Sequence, residues 1–120
     1  MKKELEQRLI DFAVMIMEAS TTIENSFTGC HLSTQIIRSS NSSALNYGEA
    51  QSAESKKDFI HKISIVLKEL RETYINLELI RRGRLSSDVQ KHKELLLECE
   101  QLIKIFYSTI QTAKNNILKN

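Results

Sequence analysis

The side chains that could do chemistry are few. Asp58-x-x-His61 is the nearest approach to the Glu-x-x-His pattern that di-metal carboxylate bundles carry on two of their helices. It occurs once, at the expected start of a helix, where an aspartate caps backbone N–H groups. A capping Asp58 and a surface His61 therefore outweigh a metal site. Cys30 and His31 are adjacent, and adjacency in the chain does not put a base on a nucleophile. His92 and Cys99 are seven apart, on one helical face but two turns separated, so structural roles outweigh a thiolate–imidazole pair. These two cysteines are the only ones and stand in no metal-type spacing; idle thiols are the simpler reading than a disulfide or a reactive group. There is no Gly-rich phosphate loop. The chain reads as non-enzymatic, with no cofactor and no metal.

Two groups of polar residues remain. Arg81, Arg82 and Arg84 form the densest positive cluster, with no acid between Leu79 and Ser87. Complementation of a helix dipole and solubility account for them most simply; a contact to phosphate or to an acidic partner is the sharper alternative. The second group is a stripe. Gln35, Arg38, Ser42, Asn46 and Glu49 step by three, four, four and three, so they share one face of a helix. Other segments place leucine, isoleucine and phenylalanine at that spacing. A polar stripe there is either a solvated face or a buried network that sets register.

The elements that must hold these residues are helical. The chain has 120 residues, no proline and three glycines, which favours a few long helices in one domain, residues 1–120, over a turn-rich β-fold. Apolar residues make up 41% and charged residues 27%, with a formal net charge of +2. That supports one ordinary core and lies far from the basicity of a dedicated nucleic-acid binder. The charged, amphipathic start MKKELEQRLI lacks an apolar leader, and the longest apolar run, Phe12 to Met17, is too short to cross a bilayer. The expected location is the cytoplasm, away from membranes.

Leu5, Leu9, Phe12, Ile16 and Ile23 predict a first amphipathic helix to about Glu24. Thr28 is then the expected N-cap of a second helix, from about Cys30 to Ala50, whose Leu32, Ile36, Ser39, Ser43, Tyr47 and Ala50 form a second face. Its serines are mediocre helix formers, so packing must hold it, and their small size lets a neighbour approach closely. Ser55 with Asp58 suggests a capping box for a third helix carrying Phe59, Ile63, Val66, Leu70, Leu77 and Ile80. Gly83 suits a left-handed position after it. Ser87 with Gln90 suggests another capping box, before a fourth helix with an apolar face from Leu95 to Ile117. Four helices with short connections predict an all-α, antiparallel up-down-up-down four-helix bundle.

If the second and third helices turn near Gln51 to Glu54, residues whose numbers sum to about 108 face each other. Arg38 then lies opposite Glu69 and Glu72, while Asn46 and Glu49 lie near Lys62, His61 and Asp58. Glu69, Glu72 and Asn76 form a matching stripe. A mostly buried polar seam is the expectation, with two solvated faces as the alternative.

Gln35-x-x-Arg38-Ser39, Ser42, Asn46 and Glu49-Ala50, followed by Asp58-Phe59, Ser64-Ile65, Glu72 and Gly83-x-Leu85, resemble the four-helix-bundle proteins encoded in 23S rRNA intervening sequences. The resemblance spans roughly Leu9 to Leu118 and is strongest from Gln35 to Leu85. The chain departs from it at Glu49-Ala50, where the family often has Glu-Gly, and at Lys68-Glu69, where a Gly-Ser pair is frequent. The resemblance implies an antiparallel bundle that assembles into a homopentameric ring. A similar bundle, the accessory protein of diversity-generating retroelements, binds a reverse transcriptase and nucleic acid through a basic surface. The expected function is a non-enzymatic homo-oligomeric scaffold or adaptor, associated with a ribonucleoprotein. Its partners would be further copies of itself, together with an RNA or a protein. The alternative is direct RNA or DNA binding by basic clusters repeated around a ring.

Overall fold

A computed structural model describes residues 2–119, with side chains from 3 to 118. Four helices follow in order: α1 (Lys2–Ser20), α2 (Phe27–Ala50), α3 (Lys56–Arg82) and α4 (Val89–Lys119). The packed pairs are α1–α2, α2–α3, α3–α4 and α1–α4, with α2–α3 the most extensive and α1–α4 the least. Helices α1 and α3 are therefore diagonal and parallel to each other. This is the antiparallel four-helix bundle that the apolar periodicity predicts.

The core follows the helical repeat. Leu9, Phe12 and Ile16 of α1 meet Ile36 and Tyr47 of α2, Ile63, Leu70 and Leu77 of α3, and Leu95, Leu102 and Phe106 of α4, all buried. The rings of Tyr47 and Phe106 pack edge to face, with centroids 5.4 Å apart. Phe59 is only partly buried. On α4 the buried face ends at Ile110, short of the expected Ile117. The 31-residue α4 is longer than the 19-residue α1, so its last turns have less helix to pack against.

The helix ends differ from expectation in four places, each for a local hydrogen-bonding reason. Helix α1 stops at Ser20, before Glu24. The hydroxyls of Ser20, Thr21 and Thr22 turn back to donate to the carbonyls of Met17, Glu18 and Ala19, and such side chains compete with helix continuation. Ser26, rather than Thr28, caps α2: its Oγ accepts from the Gly29 N–H at 3.1 Å. Gly29 permits this entry because an added Cβ would overlap the Glu24 carbonyl oxygen.

At the end of α3, Gly83 stays right-handed, with φ −78°, and Arg84 takes the left-handed position at φ 55°. The Leu85 N–H bonds the Ile80 carbonyl and the Arg84 N–H bonds the Arg81 carbonyl. That is the Schellman pattern, displaced by one residue. An arginine there costs about 1 to 2 kcal/mol relative to glycine. Asp88, not Ser87, caps α4, its Oδ1 accepting from the Lys91 N–H at 3.1 Å. Ser87 instead donates to the Thr22 carbonyl. Ser55 does cap α3, accepting from the Asp58 N–H at 3.0 Å, while Asp58 reaches back to the Glu54 N–H.

The Ser87–Thr22 bond belongs to a set that ties the α1–α2 and α3–α4 connections at one end of the bundle. Ile23 and Ser86 form an isolated antiparallel bridge, and the Glu24 N–H donates to the Leu85 carbonyl at 2.8 Å. The ends of α1 and α3 are thereby held at the same height.

Gly29→Ala is expected to destabilise the protein by about 1 to 3 kcal/mol, because the methyl group must displace backbone rather than a flexible side chain. Urea denaturation at fixed protein concentration measures it; an unchanged midpoint would mean that the α1–α2 connection shifts freely.

Candidate functional site

The seam between α2 and α3 is built on small residues. Ser39, Ser40, Ser43 and Thr73 are all buried. Ser39 Oγ and Thr73 Oγ1 lie 2.6 Å apart across the interface, and Thr73 also donates to the Glu69 carbonyl. Ser40 and Ser43 satisfy their hydroxyls on their own helix, on the carbonyls of Ile37 and Ser40. Every polar group in this contact is thus partnered.

Arg38 sits at the edge of the seam. It donates to Glu69 Oε2 and to Glu72 Oε1, each at 3.2 Å, and to Gln35 Oε1 at 3.4 Å. The register read from the hairpin is correct, but the expected burial is only partly present. The Glu69 side chain is 5% exposed, that of Arg38 51% and that of Glu72 37%. Nor is the stripe one network. Asn46 donates to the carbonyl and hydroxyl of Ser42 on its own helix. Glu49 pairs with Lys62 at 2.9 Å, near the surface, and its hydrogen bond holds the Lys62 pKa above the usual lysine value. The long arginine side chain reaches a buried carboxylate while its head stays wet, so a polar stripe at helical spacing breaks into three separate pieces.

The candidate nucleophiles are occupied elsewhere. Cys99 is buried, its thiol directed to the Leu70 carbonyl, and burial pushes its pKa up. Cys30 is exposed and directed to Asn25 Oδ1. His92 is 4% exposed, with Nε2 2.6 Å from the Leu77 carbonyl oxygen. Asp58 serves as a cap. Among the described residues, no group of three metal-ligating side chains comes together.

The arginine cluster is divided. Arg81 and Arg82 share Glu78, at 2.8 and 3.4 Å. The hydrogen bond from Arg81, with Arg82 beside it, holds Glu78 below the usual carboxylate range, so two arginines share one negative charge and the group stays positive at neutral pH. The sequence reading missed this acid because it lies one turn back inside the helix. Arg84 has no ion pair among the described residues. Arg81 and Arg84 join Ser86, His92 and Lys93 around a cavity of about 460 Å³ at the α3–α4 corner, whose lining also includes Ile80 and Val89. Spacing could not reveal Lys93 as a neighbour of the arginines, since the turn through Leu85 to Asp88 brings it there.

The antiparallel arrangement, the serine-lined α2–α3 contact and the Arg38 cluster define a four-helix bundle of the kind that the motif from Gln35 to Leu85 suggests. The model of the 23S rRNA-intervening sequence protein family matches residues 1–108. The chain belongs to that family. A crystal structure of a protein of unknown function from the S23 ribosomal protein family of Bacteroides thetaiotaomicron is similar, with a TM-score of 0.79 and 31% sequence identity. The match covers 88% of this chain and 97% of that one. No curated protein matches. No helix among the described residues is long and apolar enough to cross a membrane.

Arg38→Met should cost about 1 to 3 kcal/mol, since it leaves the Glu69 carboxylate buried without its charged partner. Adding Glu69→Gln should recover part of that loss. Glu49→Ala, which breaks an exposed pair, should cost about 0 to 1 kcal/mol. Chemical denaturation of the three variants checks the order; equal effects of Arg38→Met and Glu49→Ala would make both sites solvated faces.

Proposed function

We propose that this protein is a non-enzymatic subunit of a closed homo-oligomeric ring, a pentamer, acting in the cytoplasm as a scaffold or adaptor for a ribonucleoprotein. The observation that carries the reading is a pair of complementary outer surfaces. On α1, Ile10, Val14 and Met17 are 41–44% exposed, at the i, i+4, i+7 spacing of one face. The exposed acids Asp11 and Glu18 flank them. On α3, Ile75 and Leu79 are 59% and 51% exposed, flanked by the exposed Lys68, Arg71 and Arg82. One stripe is apolar and acidic; the other is apolar with Arg71 as its cation free of an ion pair among the described residues, since Glu72 pairs with Lys68 and Glu78 with Arg82.

Their placement favours a ring. Helices α1 and α3 are diagonal, so the stripes face away from each other and cannot serve one two-fold contact. Val14 and Met17 lie in the last two turns of α1, and Ile75 and Leu79 in the last two turns of α3. With those ends tied at one height, a rotation about an axis along the bundle brings one copy's α1 stripe level with the next copy's α3 stripe. Unlike surfaces that meet head to tail form closed rings when the rotation closes. The resemblance to intervening-sequence bundles supplies the number five.

Light scattering at micromolar concentration should give a single species of five chains. Val14→Lys, which spoils the α1 stripe, and Leu79→Glu, which spoils the α3 stripe, should each give monomers. Mixing the two variants should give a heterodimer and nothing larger, because only one sound α1 surface and one sound α3 surface remain. A monomeric parent, or a stable homodimer of either variant, would overturn the reading.

A second reading, direct RNA or DNA binding, is supported by the cation-lined corner. In a ring whose axis runs along the helices, every copy presents that corner on the same side, and weak contacts gain by avidity. Glutamate at Arg81, Arg82 and Arg84 together should abolish binding to a short RNA and flatten its salt dependence. Unchanged affinity and slope in an electrophoretic shift assay would remove these arginines from consideration.

A further inference from the structure

The α3–α4 corner combines features that a solvated patch of arginines does not need. Its lining carries three cations, Arg81, Arg84 and Lys93, and no carboxylate. Glu78 engages Arg81 and Arg82, whereas Arg84 and Lys93 have no ion pair among the described residues. The cavity, at about 460 Å³, lies in the size range of small-molecule sites. Buried Ile80 and the largely exposed Val89 add apolar lining, and Ser86 a hydroxyl.

His92 adds directional information. The ring is 4% exposed, and Nε2 lies 2.6 Å from the Leu77 carbonyl oxygen. A carbonyl only accepts, so Nε2 carries the proton, and in the neutral ring Nδ1 is a bare acceptor. Nδ1 has no hydrogen-bond partner among the described residues, and none of their side-chain nitrogens or oxygens is sealed away unpartnered. His92 also lines the cavity, which makes Nδ1 the ring atom available to a group that enters it. A ligand that fills this space must bring anionic oxygens for Arg84 and Lys93. It must also bring a hydroxyl hydrogen for Nδ1, and a body that tolerates Ile80 and Val89.

We propose that this corner is a ribonucleotide site: Arg84 and Lys93 take the phosphate, His92 Nδ1 accepts from the adjacent ribose hydroxyl, and the sugar lies over Ile80 and Val89. Inorganic phosphate brings no body to lie over Ile80 and Val89. A deoxyribonucleotide lacks the 2′-hydroxyl, the group by which proteins tell RNA from DNA. The phosphate could belong to a free mononucleotide or to a nucleotide within single-stranded RNA, since both carry the same chemistry. The site is complete within one chain and stands whether or not the ring closes.

The experiment uses the full chain and four probes: inorganic phosphate, uridine 3′-monophosphate, a 12-nucleotide single-stranded oligouridylate and its deoxyuridine counterpart. Binding is read from the His92 Cε1–H resonance, which is assigned by its absence in His92→Gln. For the oligonucleotides it is also read from fluorescence polarisation. The expected result is a His92 shift with a ribonucleotide probe, and at least fivefold weaker binding of the deoxyuridine oligomer. A shift with the mononucleotide as well as the oligomer assigns the site to free nucleotides, and a shift with the oligomer alone assigns it to RNA chains. Arg84→Ala and Lys93→Ala, both away from the core, should each weaken binding at least fivefold while leaving the circular dichroism spectrum unchanged. Equal binding of the RNA and DNA oligomers, equal binding of phosphate and mononucleotide, a His92 resonance that no probe moves, or full affinity in both alanine variants would each overturn the proposal.

Discussion

The close approach of α2 and α3 is the constraint on which the rest of the bundle depends. Ser39, Ser43 and Thr73 are buried where a bundle usually places leucine, and Ser39 and Thr73 bridge the helices at 2.6 Å. Small side chains bring the two backbones together, and hydroxyls that find partners avoid the cost of burying polar groups. The serines weaken α2 as an isolated helix, so this contact both requires the tertiary fold and fixes its register. Glu69 is buried as a consequence: it lies one turn from Thr73, on the same face, and Arg38 reaches it from the edge.

The opposite side of the bundle is held differently. Contact between α1 and α4 is the least extensive of the four helix pairs, and a two-point hydrogen-bonded pair joins them, with Arg8 donating to Glu98 at 2.8 and 2.9 Å. This geometry adds orientation to attraction. At one end, the backbone bonds between the Ile23 and Ser86 segments stitch both connections together. The same stitch orders the turn that brings Arg84 and Lys93 to one cavity and levels the outer stripes of α1 and α3. Local backbone hydrogen bonding thus governs both surfaces that could engage partners.

Much of the fold was legible without coordinates. The spacing of Leu9, Phe12 and Ile16, of Leu32 and Ile36, and of Leu95, Leu102 and Phe106 marks core faces because side chains three and four apart share one side of a helix. Ser55 with Asp58 marks a true helix start. Where two residues could serve one local role, the pattern was insufficient. Ser26 and Thr28 are both competent caps, and the close passage of the Glu24 carbonyl over Gly29 decides between them. Gly83 and Arg84 compete for the left-handed position. The arginine takes it, in spite of its Cβ, because the chain must reach Leu85 with the register that pairs it to Glu24.

The residue pattern specified the helical class, the antiparallel order and which residues share a face, because periodicity encodes an angle about a helix axis. It also set Arg38 opposite Glu69 and Glu72, since hairpin register follows from chain length on either side of a turn. Helix packing set depth: Glu69 is buried, Arg38 is half exposed, and Glu49 lies near the surface with Lys62 although all belong to one polar pattern. Depth depends on what the neighbouring helices cover. The tertiary structure likewise decided that Arg81 and Arg82 share Glu78, that Lys93 and His92 join Arg84, and that the α1 and α3 stripes face opposite ways. Those juxtapositions join residues through side-chain reach or across turns and diagonals, and a one-dimensional spacing carries no information about them.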